Sequence, residues 1–237
     1  MTKPAWLLEI AGLHSGYRAG DILQGVDLAV MQREIIAVVG RNGVGKTTLM
    51  RTIMGLVPTR SGAIRLAGED ISHALTEERA LSGLGYVPQG KMIFSHLTVE
   101  ENLRMGERIN RRKSSNWDLV FAYFPLLKGR LKQKGGTLSG GEQQALAIGR
   151  ALVGQPEVLL LDEPSESIQP SIIIELGQIL RRLNRETGMT IVLVEQNLGL
   201  IAAVSHRGYV MDKGRTTTLL SREEIKNRDV MLRHLSV

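Results

Sequence analysis

The sequence has no cysteine among its 237 residues. That excludes a disulfide framework and thiol chemistry, and it suits a cytosolic setting. Aromatic residues are scarce, with two Trp, four Tyr and three Phe. So few rings offer few platforms on which successive nucleic-acid bases could stack. No apolar run approaches the ~18 residues that span a bilayer. Near the start, only residues 5–8 are continuously apolar before Glu9, too short for a signal-peptide core. If the protein works at a membrane, other chains must hold it there. No internal repeat, low-complexity tract or linker interrupts the chain, so residues 1–237 read as one domain with sub-parts.

The charge is mildly basic, +6, and unevenly spread. Residues 104–134 carry nine Lys and Arg, among them Arg111, Arg112 and Lys113, against only Glu107 and Asp118. Such a stretch either docks an acidic partner, a nucleic acid or an anionic surface, or is a solvated helical face.

Several short apolar runs alternate with helical patterns. "EIIAVV" (34–39), "EVLLLD" (157–162) and "TIVLVE" (190–195) are rich in Val, Ile and Leu. Near-continuous runs of this kind predict parallel strands buried on both faces. Between the last two, residues 171–183 place Ile172, Leu176, Ile179, Leu180 and Leu183 on one helical face. Strand, helix, strand with crossover spacing predicts an α/β core. The first thirty residues and "SGAIRLAGEDI" are Gly-punctuated and predict antiparallel hairpins instead. Residues 98–152 read as mainly helical, opening on a capping box of Thr98 and Glu101.

"GRNGVGKTT", residues 40–48, follows the first buried run directly and fills G-x-x-x-x-G-K-[ST]. The pattern predicts a phosphate-binding loop built from Gly40, Arg41, Asn42, Gly43, Val44, Gly45, Lys46, Thr47 and Thr48. Its glycines let successive backbone N–H groups face phosphate oxygens, and the helix that follows adds its positive end. Lys46 is expected on the β- and γ-phosphates and the Thr47 hydroxyl on Mg²⁺. "VLLLDEP" (158–164) ends a second buried run on two acids. Successive strand residues point opposite ways, so the two can differ in role. Asp162 is expected to hold Mg²⁺ through water, and Glu163 to act as general base on the attacking water.

"LSGGEQQALAIGRAL", residues 138–152, lies between these two motifs. With them it resembles the signature of ABC-type ATPases, and the resemblance covers essentially the whole chain. It implies a P-loop NTPase (RecA-like) parallel-sheet core, an N-terminal antiparallel β subdomain and an inserted helical subdomain at about residues 90–152. It also implies ATP and Mg²⁺ as cofactors, with two ATPs sandwiched between two such domains. Leu138, Ser139, Gly140, Gly141 and Glu142 would then address the ATP of the opposite subunit. Tyr17 sits where a ring usually stacks on adenine. Gln89, in "GYVPQG", matches a glutamine that contacts Mg²⁺ and water. Residues 164–168, "PSESI", occupy the loop where the subunits meet.

The closer resemblance is to ATP-binding subunits of branched-chain amino acid importers, carried by "IMGLVPTRSGAI", "LTVEENL" and "VEQNL"; urea-importer subunits are nearly as similar. It implies membrane permease subunits, a second ATP-binding chain (a copy or a relative) and, indirectly, a periplasmic solute-binding protein. No nucleic-acid partner is expected, and the place of work is the cytoplasmic face of the inner membrane. A non-transport ABC ATPase acting on nucleic acid or ribosomes is the alternative of a different class, and a small-molecule kinase a remote third. There are departures from the family pattern. Glu142 stands where glutamine is commonest, Ala145 where arginine is usual, and Ser167 where nearer relatives have glycine. Most members carry histidine at the position of Gln196. An amide there predicts a neutral hydrogen bond to the γ-phosphate or the attacking water, with Glu163 the only base.

Overall fold

The computed structural model describes residues 6–18, 20–109 and 116–235. Two sheets organise them. In the first, β1 (Leu8–Tyr17) pairs antiparallel with β2 (Gly20–Val30). The core strand β3 (Ile35–Val39) and helix α1 (Lys46–Ile53) follow, and the chain then returns to the first sheet as β4 (Thr59–Leu66) and the short β5 (Glu69–Asp70), in the order β2-β1-β4-β5. The hairpins read from the glycine punctuation are therefore present.

Helix α2 (Thr76–Leu81) leads to β6 (Leu84–Val87). The helical segment comprises α3 (Val99–Glu107), α4 (Trp117–Tyr123), α5 (Pro125–Lys128) and α6 (Gly140–Val153). Then come β7 (Val158–Asp162), α7 (Pro170–Thr187), β8 (Thr190–Val194), α8 (Leu198–Val204), β9 (Arg207–Asp212), β10 (Arg215–Leu220), α9 (Arg222–Lys226) and α10 (Arg228–Leu235). The second sheet runs β10-β9-β3-β8-β7-β6, parallel except for β10 at its edge. Among the described residues no helix is long and apolar enough to cross a membrane.

Burial on both faces explains the unbroken apolar runs. Every residue of β3, β7 and β8 is buried. Their side chains alternate between two cores. Ile35, Leu159, Leu161, Ile191 and Leu193 pack with α3, α6 and α7, whereas Ile36, Val38, Leu160, Val192 and Val194 pack with α1 and the antiparallel sheet. The register Asp162↔Val194 and Val38↔Val194 puts the ends of the three strands side by side. The phosphate loop, the two acids and the Glu-Gln-Asn sequence all leave the sheet at that common edge.

The capping box at α3 forms as read, with Thr98 N donating to Glu101 Oε2 at 2.7 Å. On α7, Leu176, Leu180 and Leu183 are buried as expected, while Ile172 and Ile179 are only half-buried along a groove facing α6.

Candidate functional site

The loop from Gly40 to Gly45 wraps because its glycines allow it. A Cβ on Gly40 would lie 2.3 Å from Met211 O, and Gly45 adopts φ +108° as it hands the chain to α1. Lys46, the first residue of α1, folds back into the loop and donates to Gly40 O at 2.8 Å and Arg41 O at 2.9 Å. Its ammonium is buried, which holds its pKa below the ordinary lysine value, and the nearby carboxylates of Glu163, Asp162 and Glu195 oppose that shift.

Asp162 continues the face of β7 that carries Leu160, so it points to α1. There Thr47 Oγ1 donates to Asp162 Oδ1 at 3.2 Å. Tyr86, on β6, donates its phenol to Oδ2, also at 3.2 Å. Burial pushes the Asp162 carboxyl up to about 6, against the two hydrogen bonds that favour its ionised form. The hydroxyl of Thr47 and the carboxylate of Asp162 form a pair of hard oxygen donors beside the loop, the set that suits Mg²⁺ completed by phosphate and water.

Glu163 takes a left-handed backbone, φ +48°, which turns its side chain away from Asp162 into a cleft of about 820 Å³. Gln196 Nε2 donates to its Oε1 at 2.8 Å, Gln89 Nε2 to its Oε2 at 3.4 Å, and Lys46 Nζ stands 4.0 Å from Oε1. The other hydrogen of the Gln196 amide goes to Asn42 Oδ1 at 2.7 Å. Residues far apart in sequence, Asn42, Lys46, Gln89, Glu163 and Gln196, thus meet in one cleft, which Gly43, Gly45, Thr47 and Thr48 also line.

Other expected residues lie elsewhere. Tyr17 ends β1, is exposed, and accepts a hydrogen bond from Arg51 Nη1 at 3.3 Å; it is not among the residues lining the cleft. Leu138 is buried, and Ser139 caps α6. Gly141 packs tightly, since a Cβ there would meet Ile172 at 2.8 Å. None of residues 138–142 lines the phosphate cleft of this chain.

The departures have local explanations. Glu142 closes the cap by accepting from Ser139 N at 2.8 Å, and it pairs with Arg130 at 2.8 Å. Ala145 is buried in the core between α6 and its neighbours. Ser167 adopts φ +57°, the left-handed region that favours glycine. In the basic stretch Arg104 pairs with Glu100 and Arg130 with Glu142, while Lys128, Lys132 and Lys134 are exposed. Arg111, Arg112 and Lys113 lie outside the described residues.

Sequence reasoning missed Tyr86 and its bond to Asp162, left Glu195 without a role, and gave Ser165 none beyond its place in the loop of residues 164–168. The buried run of β8 held the clue to Glu195. Residue 195 comes directly after the fully buried strand Thr190–Val194, where a carboxylate is itself buried and needs donors.

Residues 23–166 match the family model described as ABC transporter. The high-affinity branched-chain amino acid transport ATP-binding protein BraG of Pseudomonas aeruginosa is 43% identical over 195 residues, 81% of this chain and 83% of its own. The probable branched-chain amino acid transport ATP-binding protein LivF of Archaeoglobus fulgidus is 37% identical, covering 88% and 89%. The lipopolysaccharide export system ATP-binding protein LptB of Escherichia coli is 31% identical, covering 92% and 95%. In fold, the chain resembles a nucleotide-free ATP-binding cassette from an ABC transporter, with a TM-score of 0.84 at 23% identity over 98% of this chain and 100% of that one. Phosphate loop, paired acids, signature helix and these relatives agree, and the chain belongs to the ATP-hydrolysing, ATP-binding subunits of the ABC transporter family.

Proposed function

We propose that this chain energises an importer of branched-chain amino acids, or of a related small polar solute, at the cytoplasmic face of the inner membrane. The convergence of Lys46, Gln89 and Gln196 on Glu163 carries the chemical part of the reading. Glu163 takes the proton of the attacking water as general base. Gln196 orients that water or the γ-phosphate through a neutral amide. Lys46 neutralises charge on the β- and γ-phosphates, and the loop amides of residues 40–48 hold them. Thr47 and Asp162, with Gln89, would hold Mg²⁺, which when bound supplies further neutralisation of the phosphates. Tyr17 stacks on adenine at the outer end of the site.

Residues 138–142 complete the ATP site of a second subunit, a copy or a related chain. Residues 1–237 act as one ATPase domain whose helical part, about residues 90–152, meets the permease. A periplasmic solute-binding protein selects the cargo upstream. The identity to BraG and LivF supports import of branched-chain amino acids. The likeness to LptB supports a second reading, in which the permease partner exports a lipid.

The chemical reading is tested by Glu163→Gln. The variant should bind ATP as the native chain does, lose turnover and accumulate as an ATP-bound dimer on size exclusion. Native turnover in this variant would refute the role of Glu163. The cargo is tested by deleting the gene and measuring uptake of radiolabelled leucine, isoleucine, valine and urea. Loss of leucine, isoleucine and valine uptake with urea uptake intact supports the first reading. Intact uptake with a lipopolysaccharide defect supports the second.

A further inference from the structure

The side chain of Glu195 is 3% exposed and lines the same cleft as Lys46, on whose ammonium its charge acts through space. A buried carboxylate is costly unless its charge is met by donors. Here four donors meet it, from two loops. Ser165 Oγ donates to Oε1 at 2.8 Å and Ser165 N to Oε2 at 3.2 Å. Gln196 N and Asn197 N donate to Oε1 at 2.9 and 3.0 Å. Glu195 directly follows β8, whose Ile191 and Leu193 lie in the apolar core, but its own side chain lines the polar cleft.

The two loops leave neighbouring parallel strands, β7 and β8, whose last residues pair as Asp162↔Val194. Ser165 lies two residues past Glu163, in a turn closed by Glu166 N donating to Glu163 O at 3.1 Å. Asn197, held by the same carboxylate, caps α8 through its own Oδ1, which accepts from Leu200 N at 2.9 Å. Glu195 therefore fixes the backbone of Gln196 from one side and the turn of Glu163 from the other. Beyond Ser165 come Glu166 and Ser167, both exposed.

We propose that Glu195 is a positioning residue that couples the loop of residues 164–168 to the side chain of Gln196. When a second subunit presses on Glu166 and Ser167, Ser165 transmits the shift to the Glu195 carboxylate. That carboxylate resets the backbone at Gln196, and with it the amide that addresses Glu163. Hydrolysis then responds to whether the interface loop is engaged. The inference rests on the roles proposed above for Gln196 and Glu163.

The test uses the full chain and the variants Glu195→Gln, Ser165→Ala, the two combined, and Gln196→Ala. The side-chain amide resonance of Gln196 is followed by ¹⁵N NMR in nucleotide-free protein, and single-turnover hydrolysis and ATP affinity are measured alongside. Glu195→Gln and Ser165→Ala should each move the Gln196 amide resonance. Glu195→Gln should slow hydrolysis about 10-fold or more with ATP affinity changed by less than about 3-fold, and the double variant should be no slower than Glu195→Gln, because residues acting as a unit are not additive. An unmoved Gln196 resonance, or effects on hydrolysis that simply multiply, would overturn the proposal. A folded Glu195→Gln protein with native turnover and only a lower melting temperature would overturn it too. If the resonance moves but Gln196→Ala hydrolyses ATP at the native rate, the role of Gln196 fails while its positioning by Glu195 stands.

Discussion

The phenol of Tyr86 donates to Asp162 Oδ2 at 3.2 Å while Thr47 donates to Oδ1 at the same distance, so both oxygens of this buried carboxylate are engaged by neutral donors. Each bond favours the ionised acid, and burial disfavours it more, leaving the carboxyl at about 6. Tyr86→Phe removes one of the two bonds and should raise that value further. Carboxyl ¹³C shifts of nucleotide-free protein check the midpoint. The sign for stability follows. A carboxyl raised above its unfolded value of about 3.9 binds its proton more tightly when folded. Its contribution is present below that value and is lost as pH rises through about 6. Tyr86→Phe should extend that stabilised window upward, which thermal melts between pH 4 and pH 8 would reveal.

Gln196 has no titrating group, so the native chain should show no loss of turnover attributable to this position as pH falls from 8 to 6. Gln196→His brings in an imidazole whose ordinary pKa is near 6.5 and places it beside Glu163, 2.8 Å from the present amide nitrogen. The carboxylate would favour the imidazolium. The variant should therefore acquire a limb in its pH–rate profile between about pH 6 and pH 7.5 that the native chain lacks. Gln196→Ala should slow hydrolysis about 10- to 100-fold with little change in ATP affinity. Superimposable profiles for the native and histidine chains would count against a contact with the reacting groups.

Much of this arrangement was legible in the sequence because its signals are local. The phosphate loop needs glycines at set spacing, a strand buried on both faces needs an unbroken apolar run, and α3 announces itself by Thr98 and Glu101. Lys46, Glu163 and Gln196 could be placed near one another because each ends or follows such an element, and the structure brings them into one cleft. Tyr86 and Arg79 could not. Their partners come from the tertiary fold, and nothing about a tyrosine in "GYVPQG" or an arginine in "TEERAL" tells which oxygens it will meet. Glu195 lies between these cases. The buried run of β8 places it, yet its pairing with Ser165 depends on the register of β7 against β8.

Arg79 is 2% exposed and spends its guanidinium on carbonyls. It donates to Thr52 O at 2.7 Å and Ile53 O at 2.9 Å at the end of α1, and to Ser72 O at 2.8 Å and Ala74 O at 3.0 Å. The positive charge lies where the dipole of the phosphate-loop helix is negative. Arg79→Met preserves much of the volume and takes this donor from Ile53 O, Ser72 O and Ala74 O, while Thr52 O keeps Gly55 N at 3.0 Å. It should destabilise the chain by about 3 kcal/mol, since each buried unmet acceptor costs about 1–3 kcal/mol. Urea denaturation would measure it. Arg79→Lys should recover only part, because three donors on one nitrogen cannot span the arc that the planar fork covers.

Ser167 holds φ +57° in the loop between β7 and α7. Left-handed backbone in a residue with a Cβ costs on the order of 1 kcal/mol, which glycine avoids. Glycine also gains more freedom in the unfolded chain, which offsets part of that relief. Ser167→Gly should thus raise the melting temperature by a small amount, about 1–3 °C for a chain of this size, and leave the Ser165–Glu195 bonds in place. A fall in melting temperature would mean that the serine side chain does something for the folded loop beyond occupying it.

Glu142 stands at the third position of α6, where its Oε2 accepts from Ser139 N at 2.8 Å and its Oε1 meets Arg130 Nη2 at 2.8 Å. Its carboxyl is held below the ordinary glutamate value, first by the Ser139 backbone bond and further by Ser139 and Arg130. A glutamine in its place can still accept from Ser139 N, so Glu142→Gln should keep the cap and lose only the part-exposed ion pair, worth about 1 kcal/mol or less. The negative charge, however, sits beside the signature serine, which on the proposed dimer faces the γ-phosphate of the other subunit's ATP. Two negative groups in that gap repel, and Arg130 offsets the repulsion only in part. Glu142→Gln in the Glu163→Gln background should then strengthen the ATP-bound dimer several-fold, and the gain should shrink as salt rises from 50 to 500 mM, because screening removes the repulsion the substitution relieves. Analytical ultracentrifugation at the two salt concentrations measures both effects, and an unchanged dimer constant at low salt would remove residue 142 from the subunit interface.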